Sequence, residues 1–253
     1  MKIGFCASAD QAAHAKAAGC DYIELNFTTV TRMDEAQFAQ AKADLAAAGL
    51  QSEVMNCFIP GDFNLFSLED GTALEAYMRK GMARAKEMGT ELIVFGSSGA
   101  RKLPTGVEKP EGLAKLERWF RMAGELAVEF GLIIVIEPLA YKEDNAVNTV
   151  LEGLALMQKI DIPGLRLLAD LNHMGFNGED CADILQAGED LLHCHIANPI
   201  GRVYPLPGDG YDYLPFFAAL RGINYAGRLS VEASPVNGPE DLAASVQYCR
   251  DLT

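Results

Sequence analysis

The chain has 253 residues, 49% of them apolar, and a formal charge of −14 from 21 basic and 35 acidic side chains. That acidity weighs against a nucleic-acid or anionic-membrane partner, either of which needs a clustered basic surface. No run approaches the ~18 apolar residues of a membrane span, and no composition shift divides the chain, so residues 1–253 are expected to form one domain.

Apolar runs alternate with amphipathic stretches from end to end. The chain opens on a strand at 2–6, rather than a signal peptide, and a helix at 9–18 follows. Strands are then expected at 22–26, 51–59 and 91–96, with helices at 34–48, 74–88 and 113–130 between and after them. The second half continues with strands at 133–137, 165–170, 191–197 and 228–233, and helices at 149–160, 181–187, 214–220 and 240–252. Gly19, Gly49, Gly89 and Gly131 follow the first four helices, where a left-handed C-cap is easiest for glycine. Several of the strand runs are rich in Ile, Val and Leu without strict polar alternation, as expected of a parallel sheet buried on both faces. Eight strand–helix units favour a closed (β/α)8 barrel over an open doubly wound sheet. An open dinucleotide-binding sheet would carry a glycine-rich turn after its first strand; the turn here is Ala7-Ser8-Ala9-Asp10.

The six cysteines are scattered and form no Cys-x-x-Cys pair. Cys6, Cys57 and Cys194 fall in apolar runs and are expected as buried free thiols of a cytoplasmic protein.

Chemistry in such barrels sits where the strands end. Strands five to eight end in Glu137, Asp170, His195 and Glu232. A charge directly after an apolar run is costly to bury unless it is paired or bound to a cation, and here four strands in succession carry such a residue. Three carboxylates and one imidazole suit Mn²⁺, Mg²⁺ or Co²⁺, with Zn²⁺ also compatible. His193 shares the strand parity of His195 but lies about 6.6 Å deeper, which suits support behind the ligands. His173, in a loop three residues past Asp170, is placed for a substrate contact. Glu143 is a candidate for substrate hydroxyls and Arg202 for a substrate oxygen or phosphate. The turn Pro207-Gly-Asp-Gly210 is expected to shape the rim, and His14 to lie at the surface.

The segments Ile136-Glu-Pro-Leu, Asp170-Leu-Asn-His173, His193-Cys-His195, Pro207-Gly-Asp-Gly210 and Ser230-Val-Glu232 resemble the xylose-isomerase-like TIM-barrel superfamily of sugar and sugar-phosphate isomerases and epimerases. The ketose 3-epimerase branch is the best-described relative. The resemblance implies that Glu137, Asp170, His195 and Glu232 bind one divalent metal, Mn²⁺ first among the candidates, and that Glu137 and Glu232 form an acid/base pair. It also implies substrate-binding roles for Glu143, His173 and Arg202. The chain departs from the family after His195, where Ile196-Ala-Asn-Pro replaces a polar, Glu-containing loop. Its loops at 26–33, 58–66 and 97–106, which carry the far end of the substrate in the family, match no specific family motif.

The expected reaction is isomerisation or epimerisation of a small carbohydrate through a metal-stabilised enediolate. An inosose-type dehydratase or a hydroxypyruvate-type isomerase would use the same proton abstraction. An apurinic-endonuclease-like hydrolase fits less well, because it would want many histidines and this chain has four. A barrel that binds metal without catalysis is the remaining alternative. A homo-oligomer is also open, since Met78, Met82 and Met88 lie on a helix that could pack either on a second copy or on the core.

Overall fold

Segments such as Leu-Ile-Val-Phe and Ile-Ile-Val-Ile favour extended backbone, because branched and aromatic side chains pack well on a pleated surface. The computed structural model describes Met1–Thr253 and contains eight such parallel strands. They are β1 Lys2–Cys6, β2 Tyr22–Asn26, β3 Val54–Asn56, β4 Leu92–Phe95, β5 Ile133–Ile136, β6 Leu165–Asp170, β7 Leu191–Ile196 and β8 Arg228–Val231. Each strand pairs with the next, and β1 pairs with β8 through Gly4↔Ser230, so the sheet closes into a (β/α)8 barrel.

The long helices outside the sheet start and stop on the signals the sequence carries. Glu35–Ala48 begins with a reciprocal capping box between Asp34 and Gln37 and ends at Gly49, φ 63°. Val150–Ile160 is capped by the Thr149 hydroxyl, which accepts from the Glu152 amide. The main core lies between these helices and the sheet, and it takes in Met78, Met82 and Met88. Those methionines therefore offer nothing to a second copy. A second, smaller cluster of Tyr22, Val54, Leu92, Val94, Val135 and Leu168 fills the barrel interior. Gly4 makes room for it: a Cβ there would lie 2.3 Å from Tyr22 Cζ. At the N-terminal mouth Glu53 accepts from both Lys2 and Arg228, closing the bottom with charge pairs. No helix is long and apolar enough to cross a membrane.

The structure corrects several local expectations. β3 ends at Asn56 rather than 59, and Cys57 turns out of the strand at φ 52° into an exposed position; Cys6 is only partly buried. Both therefore face the strand mouths and are not core thiols. The segments 27–32 and 98–101, expected as loops, contain short helices Phe27–Arg32 and Ser98–Arg101. His173 lies on a helix too, Leu171–Asn177, because the Asp170 side chain caps the Asn172 amide at 2.7 Å. His14 is half-buried, its Nε2 shielded where the helix Ala12–Ala17 meets the body of the protein.

Candidate metal centre

Because side chains alternate along a strand, Tyr22, Glu24 and Asn26 all point into the barrel, as do His193 and His195. Glu137 and Glu232 each follow the last residue of their strand, while Asp170 and His195 lie within β6 and β7. The structure brings these four residues together at the C-terminal mouth, with one ligand atom from each within 4.8 Å of all the others. His195 Nδ1 lies 3.3 Å from Glu137 Oε1 and 3.4 Å from Glu232 Oε2.

The donor set fits a divalent cation. Glu137, Asp170 and His195 are buried, and Asp170 Oδ2 is shielded from solvent without a hydrogen-bond partner. A buried carboxylate oxygen left unsatisfied is expensive unless a cation completes it. Gly96 opens a cradle for the Glu137 carboxylate, since a Cβ there would sit 2.0 Å from Glu137 Oε2. Gly96→Ala is therefore expected to displace that carboxylate. Affinity for Mn²⁺, measured by calorimetry, should fall at least tenfold, while the fold, followed by circular dichroism, is retained. Unchanged affinity would mean that the Glu137 carboxylate does not hold the metal.

The electrostatics of the side chains are those of a crowded anionic site. Burial pushes the Glu137 carboxyl above the usual carboxylate range, against the pull of His195. Burial acts on Glu232 in the same direction, yet His195 and Arg202 outweigh it and hold that carboxyl at about 2. His195 is raised well above its ordinary value: burial opposes its charge, but Glu24 and Glu232 overcome burial.

Two adjoining cavities of about 420 Å³ each open above these residues, and both are lined by Asn26, Asn56, Cys57, Arg202 and Glu232. Arg202 Nη2 donates to Glu232 Oε2 at 2.6 Å, and Nη1 lies 3.9 Å from Glu143 Oε1. Arg202 reaches this position from a left-handed backbone (φ 52°) at the tip of a small loop closed by the Asn198–Val203 bridge. His173 Nε2 is 3.4 Å from Asp170 Oδ2 and 3.8 Å from Glu137 Oε1, and His173 also lines one cavity with Glu143. The turn Pro207–Gly210 lines neither cavity; it closes on Asp209, which accepts from the Leu206 and Tyr211 amides and from the Tyr213 hydroxyl.

Sequence reasoning missed three buried residues. Glu24 lies between His193 and His195, at 2.8 Å and 2.9 Å from their Nε2 atoms. His193 bonds Glu24 and packs edge-on against the His195 ring, with centroids 4.8 Å apart, but is not one of the four clustered residues. Arg101 and Asp144 form a fully buried ion pair at 2.8 Å, and Arg101 also donates to the Glu137 carbonyl. A charge in the middle of the apolar run Tyr-Ile-Glu-Leu-Asn was the available signal for Glu24.

These features define a closed parallel (β/α)8 barrel with a carboxylate-rich candidate metal site at its C-terminal mouth. The comparison with known families is more specific. The profile of the family described as xylose isomerase-like TIM barrel matches residues 12–252, and the chain belongs to that family. A probable ketose 3-epimerase from Synechocystis sp. is 28% identical over 165 residues, which is 62% of this chain and 55% of that protein. An inosose dehydratase from Geobacillus thermodenitrificans is 28% identical over 199 residues, 65% of this chain and 66% of the relative. The chain spans about half the length of three of the 3-epimerases it matches, and 73% of an L-ribulose 3-epimerase from Mesorhizobium japonicum. Among solved structures, D-allulose 3-epimerase from Methylomonas sp. in complex with D-allulose superposes at TM-score 0.87 and 23% identity, covering 100% of this chain and 97% of that one. At that identity the likeness establishes the fold alone.

Proposed function

We propose that the protein is a divalent-metal-dependent epimerase or isomerase of a free ketose, in which Glu137 and Glu232 move the proton. The observation that carries the reading is the convergence of Glu137, Asp170, His195 and Glu232, their ligand atoms within 4.8 Å, around an unsatisfied Asp170 oxygen. The epimerases among its relatives support the same reading.

A bound cation, Mn²⁺ first among the candidates, would polarise the substrate carbonyl and offset the charge that develops as the neighbouring C–H proton leaves. The rest falls to the protein. Glu137 and Glu232 come from β5 and β8, three strands apart in an eight-stranded ring, and so approach a substrate from different sides. One takes the proton and the other returns one to the opposite face, inverting the carbon. Arg202 holds Glu232 and with Glu143 and His173 supplies donors and acceptors for substrate oxygens. Arg202 is also the one lysine or arginine lining either cavity, and Glu232 already engages it. A phosphate would have to break that pair, so an unphosphorylated sugar fits better. The six cysteines, all free, suit a reducing cytoplasm.

The test is to strip the protein with a chelator, restore Mn²⁺ and assay a panel of ketoses and ketose phosphates. The expected result is turnover of free ketoses only in the metal-restored sample. Mn²⁺ at ~100 times its Kd should also add about 2.7 kcal/mol to stability, read as a rise in Tm. Full turnover without metal would refute the reading. Loss of water from an inosose, without epimerisation, would transfer the same site to the dehydratase class.

A further inference from the structure

Beneath the four candidate ligands lies a buried polar chain that the proposed chemistry does not use. Glu24 is wholly inside the barrel. Its Oε1 faces His195 Nε2 at 2.9 Å, and its Oε2 faces His193 Nε2 at 2.8 Å. Oε2 also accepts from the Ser230 hydroxyl at 2.6 Å, and that hydroxyl meets Tyr22 OH at 2.7 Å. At the far end His193 Nδ1 lies 3.1 Å from the Arg228 carbonyl oxygen.

The donors and acceptors in this chain can be assigned. A carbonyl oxygen only accepts, so His193 Nδ1 carries a proton; a second proton lies between His193 Nε2 and Glu24 Oε2, and the two bonds lock the ring in orientation. Glu24 is a strong acceptor toward His195, so His195 Nε2 carries a proton as well. Without a cation, Nδ1 holds a proton toward the carboxylates of Glu137 and Glu232; a bound cation would displace that proton and take the Nδ1 lone pair, leaving the Nε2 proton on Glu24. Outer carboxylates that bond the distal nitrogen of a ligating imidazole orient it and raise its donor strength.

We infer that Glu24, braced by His193 and Ser230, is a positioning residue that fixes His195 as an Nδ1 donor and sets the metal affinity of the site. The inference rests on the metal reading above and adds to it a residue outside the four-residue ligand set. It also explains why a carboxylate is buried among apolar barrel residues. A structural role alone would be served as well by an apolar side chain of the same shape.

Glu24→Gln and Glu24→Leu separate the two roles. Glutamine keeps an acceptor for His195 Nε2 and, with His193 neutral and bare at Nε2, its amide donor replaces the proton shared there in the wild type, so its network stays bonded. Leucine keeps the approximate volume and removes every bond. Titration of the metal-stripped proteins with Mn²⁺ by calorimetry, beside thermal unfolding, gives the readout. The expected result is a 10–100-fold loss of Mn²⁺ affinity for Glu24→Leu and a smaller loss, below about tenfold, for Glu24→Gln. Should Glu24→Leu fail to fold, ¹⁵N spectra of the Mg²⁺-loaded wild type decide the question: the inference requires a single His195 tautomer protonated at Nε2. Wild-type affinity in both variants, or a His195 protonated at Nδ1, overturns it. Absence of metal binding by the wild type would instead refute the metal reading itself.

Discussion

Glu232→Gln is expected to lower kcat by 10²–10⁴-fold, the usual worth of a positioned acid or base, while the protein folds normally. Glu232 is partly exposed at the mouth, so the change leaves no buried cavity. Its Oε1 lies 3.5 Å from Asn56 Nδ2 and its Oε2 accepts from Arg202, contacts that an amide can partly reproduce. Glutamine also retains an oxygen for a cation but cannot accept the proton from carbon. Metal content measured beside kcat therefore separates a lost base from a lost ligand. Retained metal with turnover down by at least a hundredfold is the expected pairing. Undiminished turnover would remove Glu232 from the acid/base pair.

The largest effect on stability is expected at Arg101. Its guanidinium is fully buried, pairs with the equally buried Asp144, and donates to the carbonyls of Phe95 and Glu137 at 2.9 Å and 2.8 Å. Arg101→Met keeps most of the volume but strands a buried carboxylate and several carbonyls, at a cost of about 3–5 kcal/mol. Urea unfolding measures this directly. Adding Asp144→Leu removes the stranded charge and should recover part of the loss. Turnover should stay low in the double variant, because the carbonyl of Glu137 has lost its anchor. A single variant that loses less than 1 kcal/mol would show that the pair contributes little to the loop after β5.

The four clustered residues that the sequence made visible share one property: each is a polar residue at the end of an apolar run. Glu137, Asp170, His195 and Glu232 stand out because burying them without a partner is costly, and strand order carries them to the same mouth. Glu24 was passed over because it sits inside its run, although its parity with Tyr22 aims it into the barrel. Arg101 and Asp144 left no local trace. They are 43 residues apart, and Arg101's other partners are backbone carbonyls whose position depends on how the barrel closes. The short helices at 27–32 and 171–177 span too few turns to show a period. Their caps, Asn26 and Asp170, were nonetheless present in the sequence.

The proposed chemistry is tested most directly by deuterium transfer from solvent. The Mn²⁺-loaded protein is incubated in D₂O with a panel of free ketohexoses, and the sugars are read by NMR. Proton abstraction and return between two glutamates predicts a C3 epimer carrying one deuteron on the inverted carbon. If Mn²⁺ is bound and no ketose gains carbon-bound deuterium, the cluster of Glu137, Asp170, His195 and Glu232 does not perform this reaction, and the account of its function is contradicted.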